Sequence, residues 1–195
     1  MAISKLTKQD FATALKELMK EHDFEQIRVT HICEQSGYSR NKFYYHFKDK
    51  YDLLNWIFDT EFGLVNQKYE HVQIMAQGIE RMRAICVYFY EHRDFYRNAL
   101  QYTGQNSFSE HLYETITPLI KKRLFFLFED EQSMDFELSF FADAVFYTLK
   151  RWLMDEQCMP VDEFVDRTLV LMQKSVKILS EKYQANEGRA DARIF

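Results

Sequence analysis

The sequence predicts an all-α protein of about nine helices, in which a three-helix helix-turn-helix unit precedes a larger helical region. Helix breakers are scarce, because the 195 residues include only five glycines and two prolines. Apolar residues recur at steps of three and four along most of the chain, which is the spacing of one helix face. A glycine also separates two short segments that each begin with a capping residue, which indicates a helix-turn-helix.

The first helix is predicted to begin at Thr7, where a hydroxyl precedes Asp10 at the spacing of a capping box. Phe11, Leu15 and Leu18 recur at helical spacing along this helix, and the connecting segment that follows it adds Ile27 and Val29. They are expected to cover Ile32, Phe43 and Phe47 of the next two helices. A small shared core would thus fix the angle of the third helix.

Two short helices joined by a tight turn are predicted from Thr30 to Lys50. We expect Thr30 to cap the first helix, and Gly37 to end it in the left-handed conformation that glycine adopts cheaply. Ser39 is then expected to cap the second helix. In a helix-turn-helix, this second helix enters the major groove of DNA.

The second helix carries cations, phenols and an imidazole around its apolar face. From Ser39 to Lys50 the charge is +3, in a chain whose net charge is −5. Such side chains suit phosphate oxygens and base edges, whereas the alternative is a basic helix that merely faces solvent. The residues predicted to contact double-stranded DNA are Thr30, Ser39, Arg40, Asn41, Lys42, Tyr44, Tyr45, His46 and Lys50.

The order T-x-I-x-x-x-x-G-x-S-x-x-x-F-Y-x-H-F-K-D-K, from Thr30 to Lys50, resembles the DNA-binding domain of TetR-family transcriptional regulators. The run FYYHFKDKYDLLNWIF is similar to the branch that contains regulators of dihydroxyacetone kinase operons. The resemblance implies that Lys50 contacts a DNA phosphate and that the fourth helix moves the DNA-binding unit when the rest of the chain changes. It also implies a homodimer that binds a palindromic operator, more often as a repressor.

We expect residues 1–48 to form the DNA-binding unit, called the head below, and residues 49–185 to form the body, with a flexible tail at 186–195. Residues 1–50 carry a charge of +2 and residues 51–195 carry −7. An acidic body would repel DNA except at the head, although ordinary acidic solubility explains the same charges.

The fourth helix is predicted to be capped by Asp49 and to carry a wide apolar face formed by Leu53, Leu54, Ile57, Phe58 and Phe62. Five further helices are expected at 74–90, 94–102, 108–128 and 134–155 and after Pro160. Pro118 either kinks the third of these or starts it anew after a Thr117 cap.

Aromatic residues of the middle helices could line an apolar pocket or fill a core. The residues predicted for a pocket are Tyr88, Phe89, Tyr96, Tyr102, Phe126, Phe141 and Tyr147. The last two helices carry apolar residues at the spacing of a helix–helix seam, which either joins two chains or is internal. The residues predicted for a dimer interface are Leu149, Trp152, Val165, Leu169, Met172, Val176 and Leu179.

Other classes of function lack support in the sequence. No phosphate loop, nucleophile elbow or HExxH occurs, and the three cysteines lack metal-ligand spacing, so neither an enzyme, a metal site nor a cofactor is predicted. No apolar run has membrane-spanning length, and a cytoplasmic location is expected. The sequence predicts a transcriptional regulator that responds to a small molecule or a partner protein. The alternative is a helical adaptor of the same fold that acts by protein contact.

Overall fold

The computed structural model describes residues 2–67, 75–102, 107–125 and 135–191. Within these ranges the chain forms nine α-helices and one 3-10 turn, and it has no strand. The prediction of an all-α fold with about nine helices is therefore confirmed. The helices are α1 (Ala2–Glu21), α2 (Val29–Ser36), α3 (Arg40–His46), α4 (Lys50–Gln67), α5 (Met75–Glu91), α6 (Arg93–Leu100), α7 (Phe108–Phe125), α8 (Asp135–Met154) and α9 (Val161–Asp191), and the 3-10 turn, Phe24–Gln26, lies between α1 and α2.

The head has the small core that the apolar spacing predicts. Phe11 of α1 contacts Phe43 and Phe47, with ring centroids 5.2 and 6.3 Å apart. All three rings are buried, as are Leu15 and Ile32. Because these side chains come from α1, α2 and α3, their packing fixes the direction in which α3 points.

Two predicted helix starts are wrong. Helix α1 begins at Ala2 rather than Thr7, and Thr7 is buried in its interior. The Thr7 hydroxyl is hydrogen-bonded to the phenol of Tyr38, which also donates to Asp10 Oδ2 at 2.9 Å. Both residues of the predicted capping box thus hold the turn that precedes α3. Helix α2 begins at Val29, so Thr30 lies in its first turn and does not cap it.

The predicted caps at Gly37, Ser39 and Asp49 are confirmed. Gly37 has φ +74°, and the Tyr38 N–H donates to the Cys33 carbonyl at 3.2 Å. Ser39 Oγ accepts from the Lys42 N–H at 3.3 Å, which satisfies a free donor at the start of α3. Asp49 Oδ1 accepts hydrogen bonds from the N–H groups of Tyr51 and Asp52, the second and third residues of α4, at 2.8 and 2.9 Å.

Helix α4 joins the head to the body, and its predicted apolar face is buried throughout. The ring of Phe58 contacts the rings of Phe89, Tyr96 and Phe108, which come from α5, α6 and α7. Helix α7 continues through Pro118, and Thr117 is not a cap, because its hydroxyl donates back to the Tyr113 carbonyl at 2.7 Å.

Helix α9 begins after Pro160, as predicted, and it continues to Asp191. Residues 186–191, predicted as part of a flexible tail, are therefore helical, and Glu187, Arg189 and Ala190 in this stretch are good helix formers. Predictions that concern Phe126, residues 128–134 and the side chains of Val176 and Leu179 lie outside the described residues.

Candidate nucleic-acid interface

Helix α3 has one buried face and one exposed face. Phe43 is fully buried, whereas Tyr44 and Tyr45 are 50% and 78% exposed. Arg40 and Asn41 are also exposed, at the start of the helix. The apolar core thus leaves the cation, the amide and two phenols free to contact another molecule.

A groove runs between the start of α2 and the start of α3. Thr30 and Arg40 both line this open groove of about 380 Å³, together with Glu34, Gly37 and Tyr38. Since Gly37 and Tyr38 form the turn between the helices, the turn brings Thr30 close to Arg40. The structure therefore unites two residues that the sequence separates by a full helix.

Two other predicted residues of α3, Lys42 and His46, are less exposed. Lys42 is half-buried, and its ammonium lies 5.7 Å from the ring centroid of Tyr45. His46 Nε2 is shielded from solvent and has no hydrogen-bond partner among the described residues. Burial, followed by the charges of Lys42 and Lys8, lowers the pKa of His46, so its imidazole is neutral at neutral pH.

Lys50 is tied to the head by its own hydrogen bonds. Its ammonium donates to the carbonyls of Phe24 and Glu25, at 2.8 and 2.9 Å, and lies 4.6 Å from the centroid of the Phe24 ring. Burial lowers the pKa of the Lys50 ammonium. An ammonium has three donors, so one N–H of Lys50 is left for a phosphate.

Lys8 of α1 is a candidate that the sequence analysis missed. Its ammonium lies 5.2 Å from the ring centroid of Phe47 and 5.4 Å from that of Trp56. No carboxylate among the described residues lies within 4 Å of it. Its contribution to the lowered pKa of His46 places its charge beside the end of α3. The sequence of α1 alone does not single out Lys8, because the residues beside its ammonium belong to later parts of the chain.

The residues predicted for a ligand pocket occupy several different environments. Tyr88, Phe89 and Tyr96 are buried in one aromatic cluster, where the phenols of Tyr88 and Tyr96 are hydrogen-bonded to each other. The ring of Tyr102 packs against the ring of Tyr51, with centroids 5.3 Å apart, and the Tyr147 side chain is 58% exposed. Phe141 is half-buried. The three buried members thus fill a core.

The residues predicted for a dimer interface also differ in how deeply they are buried. Leu149, Trp152 and Val165 are buried within the chain itself. The rings of Trp152 and Phe164 are stacked there, with centroids 4.3 Å apart. These three belong to the internal core, which leaves them no surface for a second chain. Leu169 and Met172 are half-buried.

Exposed apolar side chains lie on other faces of the last two helices. On α8 they are Phe136, Phe140 and Tyr147, with exposed fractions of 76, 59 and 58%. These residues lie within about 40° of one another around the helix axis, on the side opposite Leu149. On α9 the exposed apolar residues are Val170, Leu171 and Ile178.

Two family models match the chain, and together they cover well over half of it. One, described as bacterial regulatory proteins of the tetR family, matches residues 12–57. The other, described as a transcriptional regulator C-terminal region, matches residues 79–174. The first range contains α2, α3 and the start of α4, and the second extends from α5 into α9.

The HTH-type dhaKLM operon transcriptional activator DhaS of Lactococcus lactis subsp. lactis (strain IL1403) is 33% identical over 72 residues, which are 36% of this chain and 38% of that protein. The match thus spans less than half of the relative. A solved structure of a dihydroxyacetone kinase operon activator DhaS has a TM-score of 0.64 at 22% identity, over 88% of this chain and 97% of its own. A TetR-family regulator from Syntrophomonas wolfei has a TM-score of 0.69 at 14% identity, over 88% and 95%. These two structures share the fold of the chain.

Proposed function

Because the chain belongs to the TetR family of transcriptional regulators, which are not enzymes, we propose that it binds a palindromic operator in the cytoplasm as a homodimer. The exposed face of α3 carries this proposal, since it presents Arg40, Asn41, Tyr44 and Tyr45 above a fully buried Phe43. Arg40 and Asn41 have the donors that read base edges, and the phenols can donate to phosphates.

The proposed dimer uses the exposed apolar residues of α8, together with Leu171 and Ile178 of α9, which lie within about 20° of each other around the helix axis, rather than the buried residues of the same helices. An aromatic stripe that faces solvent on a single chain usually marks a surface that another molecule covers. Two heads on one duplex also bind far more tightly than one, because the second contact is intramolecular.

The direction of regulation follows from a reporter assay. The resemblance of residues 30–50 to TetR-family regulators favours repression, whereas the relative named DhaS is an activator. Deletion of the gene raises transcription from the bound promoter if the protein represses it, and lowers transcription if the protein activates it.

We propose that the body receives the signal, either from a small molecule or from a partner protein. Because Tyr88, Phe89 and Tyr96 are buried in one cluster, we propose that the signal is bound elsewhere in the body.

Binding to a duplex tests the proposed function. The chain is titrated at low ionic strength with random duplex, and with a duplex that it selects from a random-sequence library. We expect Arg40→Ala to weaken binding to the selected duplex by about 1–3 kcal/mol and to relax the preference at one base pair. Retention of both affinity and preference would exclude Arg40 from base readout. A helical adaptor, the alternative function, would bind neither duplex.

We further propose that Lys8 contacts a phosphate. Lys8→Gln is expected to weaken binding to selected and random duplexes alike, and to lower the slope of log affinity against log salt by about one. Lys20→Gln is the matched control, because Lys20 lies near the far end of α1 and pairs with Glu17 at 2.7 Å. An unchanged slope in Lys8→Gln, or an equal change in Lys20→Gln, would contradict the assignment.

A further inference from the structure

One side chain of the body is hydrogen-bonded to the backbone of the head at three points. Asn98 lies in α6, and its Nδ2 donates to the carbonyls of Met19 and His22, at 3.0 and 2.8 Å. Its Oδ1 accepts from the Phe24 N–H at 2.7 Å. Asn98 thereby links the range that matches the C-terminal family model to the range that matches the N-terminal one.

These bonds satisfy backbone groups at the end of α1. Helix α1 ends at Glu21, and the last carbonyls of a helix have no partner within it. Asp23, at the start of the 3-10 turn, makes no side-chain capping bond. Asn98 therefore satisfies, from another helix, two carbonyls of the α1 end and one amide of the turn.

The turn held by Asn98 is the entry to the helix-turn-helix. On its other side, Lys50 donates to the carbonyls of Phe24 and Glu25, and the Tyr51 phenol donates to Glu25 Oε1 at 3.1 Å. The Phe24 side chain is buried between these contacts, and α2 begins a few residues later. The position of the turn thus depends on the hydrogen bonds from α6 as well as on those from Lys50 and Tyr51 of α4.

We propose that Asn98 is a positioning residue that couples α6 to the DNA-binding head. This inference rests on the proposed function. A shift of α6 moves the turn through three hydrogen bonds, and the turn carries the start of α2 with it. Coupling between two sites is reciprocal, so duplex binding at the head must in turn act on α6.

Hydrogen exchange of the full-length protein tests this reciprocity. Exchange is measured with and without the selected duplex for wild type and for Asn98→Leu, which has a similar volume and no donor or acceptor. In wild type we expect the duplex to slow α6 amides by about fivefold or more beyond the slowing of α8 amides, which report global stabilisation. In Asn98→Leu this extra slowing disappears, while α2 and α3 remain protected.

Further measurements separate coupling from simple destabilisation. Asn98→Ala, which removes the same bonds without adding bulk, replaces the leucine variant if that protein does not fold. Gln101→Ala, an exposed change at the end of α6, is the matched control and is expected to behave as wild type. The salt slope is expected to stay unchanged in the Asn98 variants, since no phosphate contact is lost.

Each outcome decides between the two proposals. If the duplex protects the head but gives α6 no extra slowing in wild type, or if the extra slowing survives in the Asn98 variants, the coupling through Asn98 is wrong and DNA binding stands. If neither random nor selected duplex binds, the proposed function itself is wrong.

Discussion

Phe43→Ala is expected to abolish operator binding by loosening the head. The Phe43 ring is fully buried against Phe11 and Phe47, at centroid distances of 5.2 and 5.7 Å. Truncation of a buried phenylalanine costs about 3–5 kcal/mol, because apolar contacts are lost and a cavity remains. That loss is a large part of the stability of an ordinary domain. Urea unfolding followed by circular dichroism measures the destabilisation, and a gel shift measures binding.

Tyr45→Ala is the matched control for Phe43→Ala, because Tyr45 lies on the same helix and is 78% exposed. We expect its stability to change by no more than about 0.5 kcal/mol. Its operator affinity is nevertheless expected to fall, since a phenol is lost from the proposed interface. Equal destabilisation by the two substitutions, or full operator binding by a folded Phe43→Ala protein, would show that the two faces of α3 are not divided as the structure indicates.

The division between these two faces was predictable from the sequence, because it depends on local spacing. Phe43 and Phe47 are one helical turn apart, and Ser39 and Gly37 fix the ends of the flanking helices through bonds to near neighbours. Predictions from local spacing were wrong where a side chain contacts a residue distant in the sequence. Thr7, which has the appearance of a cap, is instead hydrogen-bonded to Tyr38.

The contacts of Lys8 and Asn98 could not be predicted for the same reason. Lys8 lies beside Phe47 and Trp56, and Asn98 bonds to backbone more than seventy positions earlier. Neither side chain belongs to a motif, and both acquire their roles only when helices distant in sequence pack together. Hydrophobic spacing also cannot decide which of two apolar faces is internal. Helix α8 has Leu149 on its buried face and Phe140 on its exposed face.

This ambiguity of apolar faces leads to the second large expected effect, which concerns assembly. Leu171→Glu is expected to convert dimers to monomers, because it places a charge among the exposed apolar residues of α9, where Leu171 is 67% exposed. Burial of an unpaired carboxylate in an interface is strongly unfavourable. Loss of the second head is expected to weaken operator binding by roughly 10²–10⁴-fold, while each head retains its fold. Sedimentation gives the oligomeric state, and a titration with the selected duplex gives the affinity.

Gln173→Glu is the matched control for Leu171→Glu, because it adds a carboxylate to the same helix at an exposed position about 200° further round the axis. It changes the net charge by the same amount, so any general electrostatic repulsion of DNA is equal in the two variants. We expect Gln173→Glu to remain dimeric and to bind DNA almost as wild type does. If Leu171→Glu also sediments as a dimer, the exposed face of α9 does not join the subunits. If both variants lose DNA binding equally while remaining dimeric, the cause is charge, and the assembly has no part in the loss.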